Sequence, residues 1–165
     1  KINFISPYIE LPKKLTVKQN LIVYGKLYSV LNLQERIEYL AEKLRLEDLL
    51  NKITGELSSG QKNRASLAKA LINEPGVLFL DEPTASLDPE TGDFVRTFLE
   101  NYKKEKKISI LLASHNMDEV TRLCSSILMM KDGIIIDQGK PTELIAKHGR
   151  KNLEEVFLKL TRNKK

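Results

Sequence analysis

The stretch Val77-Leu78-Phe79-Leu80-Asp81-Glu82-Pro83 decides the fold class. Four apolar residues in a row read as a strand buried on both faces, the kind found inside parallel sheets. The run ends abruptly in two carboxylates and a proline. In an open parallel sheet, ligands bind beyond the carboxyl ends of the strands. A carboxylate there can hold Mg²⁺ through water, because this hard cation keeps much of its hydration. A neighbouring carboxylate that points elsewhere can orient and deprotonate an attacking water. One acid for the metal and one for the nucleophile is what phosphoryl transfer uses. A strand that merely ends in polar residues is the alternative.

Downstream, Asp88 is placed to cap a helix and Pro89 sits at its first position. That helix ends in the solvated lysines Lys103, Lys104, Lys106 and Lys107. Ile108 to Ala113 is a second buried strand, and it delivers Ser114 and His115 to its end. A histidine there can hydrogen-bond a terminal phosphate; a surface or capping histidine is the alternative. Ile127 to Met130 and Ile134 to Ile136 flank Asp132-Gly133, a strong hairpin signal. Cys124 shares a helical face with Met117 and Val120 and reads as core, and His148, before Gly149 at a helix end, carries no role. The last helix has Asn152 and Glu155 as its cap and Leu153, Val156, Phe157 and Leu160 as one stripe. Burial of Phe157 is then worth on the order of 3 kcal/mol, and the basic tail Arg162 to Lys165 is expected to be disordered.

Upstream, a helix from about Ser59 to Asn73 is closed by Pro75 and Gly76. Its start, Leu57-Ser58-Ser59-Gly60-Gln61, has capping-box spacing between Ser58 and Gln61. Ser59 and Gly60 are small and leave the first-turn N–H groups open, as an anion site requires. An ordinary well-capped helix explains the same residues. Before Gly55 helical periodicity dominates: Thr16 and Gln19 form a box, and Val17, Leu21, Tyr24, Tyr28 and Leu31 form one face. Ile37, Leu40, Ala41 and Leu44 repeat the pattern, so this part reads as a small helical lobe. Residues 1–15, with Pro7 and Pro12, read as a strand end followed by a loop.

The 165 residues suit about one domain. With 41% apolar and 30% charged residues, and only 6 Pro and 8 Gly, the chain is neither collagen-like nor of low complexity. No apolar run approaches the roughly 18 residues of a membrane span. The single cysteine excludes an internal disulfide framework. The net charge of +5 is modest and spread out; it allows contact with an acidic membrane surface or nucleic acid and argues strongly for neither, and no nucleic-acid partner is expected. Gly55 to Lys62 reads G-x-x-x-x-G-Q-K, a near miss to the phosphate-cradling loop, with its lysine one place late and Asn63 where Ser or Thr is needed.

These pieces together resemble the ATP-binding subunit of ABC transporters. Leu57 to Gln61 is similar to that family's signature sequence, with Ser59 where Gly is usual. Val77 to Glu82 is similar to its Walker B strand plus catalytic glutamate, Ser86-Leu87-Asp88 to its D-loop, and His115 to its switch histidine. The resemblance implies an α/β P-loop NTPase fold: residues 1–56 as the Q-loop region and α-helical subdomain, 57–140 as the Walker B half of a mainly parallel sheet, and 141–165 as C-terminal helices and tail. It implies ATP and Mg²⁺ as ligands, with Asp81 on the metal, Glu82 and His115 as catalytic residues, and Ser58, Ser59, Gly60, Gln61 and Asp88 at the nucleotide. It further implies a second ATP-binding subunit in a head-to-tail dimer and an integral membrane transporter subunit, at the cytoplasmic face of a membrane. The compact lobe and the closing helix look most like export-type subunits. By the same resemblance the chain is expected to be a C-terminal portion lacking the P-loop, and the family's Q-loop glutamine falls at Pro7, beside Ser6. A non-catalytic remnant that only docks to a partner and a translation-associated ATPase are the other readings.

Overall fold

A computed structural model describes residues 1–85 and 87–162 of the chain. Ser86, and the tail expectation from residue 163 onward, lie outside the described residues. The chain divides into two compact units, Lys1–Ala113 and Ser114–Lys165.

The first unit opens with strand β1 (Ile2–Ile5) and a loop that leads to helices α1 (Val17–Leu27) and α2 (Leu33–Leu44). Thr16 caps α1 in the expected reciprocal box with Gln19. The apolar face is shorter than the periodicity predicts. α1 ends at Leu27, and Leu31 lies beyond it, 88% exposed. The cause is the turn into α2: Ser29 and Asn32 take left-handed φ angles, and the Leu33 side chain packs against Gly25 where a Cβ would stand. Ile37, Leu40, Ala41 and Leu44 form the buried face of α2, as read from the sequence.

Helix α3 (Ser59–Leu71) packs on α1, α2 and β1, and leads into strand β2 (Val77–Asp81). Helix α4 (Pro89–Lys106), capped by Asp88, leads to β3 (Ser109–Ala113). The three strands form a parallel sheet in the order β1-β2-β3, with Phe4, Phe79 and Leu111 in one row across it. Leu78 and Leu80 are fully buried on one side. The other side departs from the sequence reading: Phe4 is 44%, Phe79 39% and Leu111 60% exposed. A continuous apolar run records that both faces avoid water, and in this unit only one of them is covered.

In the second unit, helix α5 (Met117–Leu123) precedes β4 (Ile127–Lys131) and β5 (Ile134–Gly139). These pair antiparallel around Asp132 and Gly133, both at positive φ, as a two-residue primed turn requires. Cys124 is half-exposed at the C-terminal cap of α5 rather than in the core, where Val120 and Leu123 sit. Helices α6 (Pro141–His148) and α7 (Leu153–Arg162) close the unit, and α7 packs on α5 and α6.

The stripe of α7 is narrower than expected. Leu153 and Val156 are buried, while Phe157 and Leu160 are only half-buried. Leu153→Ala is therefore expected to cost about 2–5 kcal/mol, the range for fully buried leucines, and Phe157→Ala less. Urea unfolding of the two variants checks this; a larger loss for Phe157→Ala contradicts it.

Asp137 of β5 accepts from Lys147 Nζ at 2.7 Å and lies 2.6 Å from His148 Nε2, so a histidine to which the sequence assigned nothing ties α6 to β5. The hydrogen bond from Lys147, then that from His148, hold the Asp137 carboxyl at about 2, below its ordinary range. A carboxyl depressed by folding stabilises fully above its unfolded pKa and loses that contribution as pH falls through the folded one. Between about pH 4 and pH 2 the melting temperature should thus fall more steeply for the parent than for Asp137→Asn; parallel profiles would contradict the pairing.

Candidate functional site

The site grows from the carboxyl end of β2. Parallel pairing places Asp81 opposite Ala113, and the next backbone N–H, that of Glu82, donates to Ala113 O at 2.8 Å. The chain then turns: Glu82 adopts φ 48°, a left-handed conformation that costs a side-chain-bearing residue roughly 1–2 kcal/mol. Ala85 N closes the turn onto Glu82 O at 3.1 Å. Both carboxylates remain half-exposed.

Two contacts hold this corner. Ser6, just past β1, donates its hydroxyl to Asp81 Oδ2 at 3.0 Å. Asn63 of α3 donates from Nδ2 to Pro83 O at 2.7 Å. Neither partner follows from the sequence, because the pairs are 75 and 20 residues apart. A cleft of about 250 Å³ lies here, lined by Ser6, Pro7, Ser59, Lys62, Asn63 and Glu82 among others.

At the start of α3, Ser58 Oγ accepts from Gln61 N at 3.3 Å and Gln61 Oε1 accepts from Ser58 N at 3.0 Å. Gln61 is thereby occupied within its own cap, while Ser58 and Ser59 are exposed. Gly60 faces the first turn of α4: a Cβ there would lie 3.2 Å from Thr91 Cγ2. Asp88 Oδ1 accepts from Thr91 N at 3.0 Å. Hydrogen bonds from the Thr91 side chain, then from backbone N–H groups of that turn, hold the Asp88 carboxyl below its ordinary range. The starts of α3 and α4 therefore meet at Gly60 and Thr91.

Of the residues singled out in the sequence, Ser59 and Glu82 share the cleft, Asp81 precedes Glu82, Ser58 and Gln61 cap each other, and Gly60 lies against Thr91, whose N–H Asp88 accepts. Leu87 also lines the cleft. His115 belongs to the second unit, where it is exposed between Ser114 and Asn116. Asn116 N donates to Ser114 Oγ at 3.0 Å, and Asn116 Oδ1 caps α5. Pro7 and Ser6 lie in the cleft where an amide side chain was expected, and the group that reaches Asp81 is the Ser6 hydroxyl.

Among the described residues no three His, Cys, Asp or Glu side chains gather to cage a metal, and no helix is long and apolar enough to cross a membrane. The donor chemistry at Asp81 nevertheless suits Mg²⁺, which leans on one or two carboxylates, its own water and substrate phosphates rather than on an all-protein cage.

Residues 1–85 match the family model described as ABC transporter. The Nod factor export ATP-binding protein I of Rhizobium johnstonii is 39% identical over 147 residues, which are 88% of this chain and 47% of the relative. The methionine import ATP-binding protein MetN 1 of Bacillus cereus is 38% identical over 149 residues, 87% of this chain and 42% of the relative. Among solved structures, an ATP-binding cassette described as a dimeric post-hydrolysis state bound to ADP and Pi superposes with a TM-score of 0.76 at 25% identity, over 85% of this chain and 62% of that one. The chain thus spans about half the length of these curated relatives.

Proposed function

The chain belongs to the ABC transporter family of ATP-binding domains, and from that premise we propose that it forms part of an ATP-hydrolysing subunit that energises transport through a separate integral membrane subunit. The observation that carries this reading is the corner after β2, where Asp81 and Glu82 leave a parallel strand end side by side and Glu82 does so in a left-handed turn. Asp81 serves the metal and Glu82 takes the proton of the attacking water. Bound Mg²⁺ supplies charge neutralisation at the phosphate oxygens.

Ser58, Ser59 and Gly60 present an open helix start, with Gln61 fixing its cap, to a nucleotide held by a second subunit packed head to tail. Asp88 and the turn at Thr91 lie against that start and complete its edge. His115 contacts the terminal phosphate and responds to its loss. The dimeric ADP-bound cassette with the same fold supports the pairing. Hydrolysis reopens the dimer and drives the membrane partner, with the subunit at the cytoplasmic face of the membrane.

Export is the direction we assign, from the compact helical lobe and the exporter relative; the importer relative keeps uptake as the competing outcome. Reconstitution of the full-length product with its membrane subunit in vesicles tests the whole. ATP-driven efflux coupled to phosphate release is expected, net uptake reverses the direction, and absence of nucleotide-dependent flux removes the transport reading.

A further inference from the structure

We infer that Ser6 is the positioning residue through which the loop after β1 is fastened to the metal carboxylate Asp81, at the place where the resemblance led to the expectation of a glutamine. The inference rests on the nucleotide reading given above.

The geometry is directional. Tyr8 N approaches Ser6 Oγ at 3.4 Å and the hydroxyl in turn lies 3.0 Å from Asp81 Oδ2. A hydroxyl has one hydrogen and two lone pairs. With the Tyr8 N–H directed at a lone pair and an ionised carboxylate able only to accept, the Ser6 hydrogen points at Asp81. The bond is charge-assisted, the stronger kind. Ile9 N closes the loop onto Ser6 O at 3.2 Å, so the hydroxyl sits at the start of a hydrogen-bonded turn rather than on a free strand end. Oδ2 of Asp81, the residue that would hold the metal, is thus engaged by Ser6.

Pro7 has neither a side-chain amide nor a backbone N–H, so it cannot link this loop to the metal site, whereas the neighbouring hydroxyl does. A displacement of the loop between Ser6 and Leu15 therefore pulls on the carboxylate itself. On this reading the loop would act on a bound metal through Asp81, by way of the Ser6 hydroxyl.

The test uses the full-length product of the gene that encodes this chain, with Glu82→Gln as the background so that nucleotide is bound without turnover. Mn²⁺·ATP affinity is measured by electron paramagnetic resonance of the metal, beside the melting temperature without nucleotide. Ser6→Ala should weaken Mn²⁺·ATP binding by about 3–10-fold, part of the worth of a hydrogen bond to a charged group, and Ser6→Thr, which keeps the hydroxyl, should restore it to within about twofold. Equal affinity for Ser6→Ala and the parent overturns the inference alone. So does a weakening that Ser6→Thr fails to restore, since loop packing would then be the cause. A parent that binds no Mn²⁺·ATP overturns the nucleotide reading and this inference with it.

Discussion

Glu82→Gln, introduced into the full-length product, should lower ATP turnover by roughly 10²–10⁴, the usual worth of a positioned general base, while nucleotide binding survives. The substitution keeps the side chain's size and hydrogen-bond reach and removes the base. The Asp81 contact with Ser6 and its strand pairing with Ala113 do not run through the Glu82 side chain. Unhydrolysed ATP should then hold two subunits together across the open helix start at Ser58 and Gly60. A stable ATP-dependent dimer is the expected product on size-exclusion chromatography. Asp81→Asn should behave differently: it weakens metal binding itself and should trap that dimer poorly. Normal phosphate release by Glu82→Gln, or equal dimerisation of both variants, would contradict the division of labour between the two carboxylates.

The 165-residue chain by itself should show no ATP turnover at all. Phosphoryl transfer needs backbone N–H groups cradling the β- and γ-phosphates and a lysine reaching them. The nearest approximation in the sequence, Gly55 to Lys62, does other work. Gly55 lies in a single 3-10 turn, Thr54–Glu56, and packs so that a Cβ would sit 3.0 Å from Lys13 O. The Lys62 N–H is already given to Ser58 O at 2.8 Å, inside the helix start. Asp81 without phosphate oxygens is one carboxylate, a weak site for a cation that demands six ligands in near-octahedral array. Phosphate release by the purified chain, surviving gel filtration and absent from a Glu82→Gln control, would overturn this.

What the sequence disclosed was local chemistry. The caps at Thr16, Ser58 and Asp88 involve residues three apart, and the Asp132-Gly133 turn two adjacent ones, so spacing alone determines them. The strand end at Asp81 and Glu82 was legible for the same reason. Contacts between distant segments were not. Nothing in Ser6 announces Asp81, and nothing in His148 announces Asp137, because each bond exists only once separate elements are brought together. Periodicity also overran α1, since the close approach of Leu33 to Gly25 is a tertiary event. The exposed row Phe4, Phe79 and Leu111 shows the limit of composition: it records that a face avoids water without naming what covers it.

The left-handed backbone at Glu82 carries a consequence for how this gene changes over generations. Glycine pays no steric cost at such a φ and asparagine pays little, so folding alone favours replacing the glutamate there. The catalytic role proposed for Glu82 would oppose that drift. A lineage in which the domain has become a passive scaffold should therefore lose the acid at this position early, and gain about 1 kcal/mol of stability in doing so. On the role proposed for Glu82, the residue found at position 82 in each descendant would record whether that copy hydrolyses nucleotide.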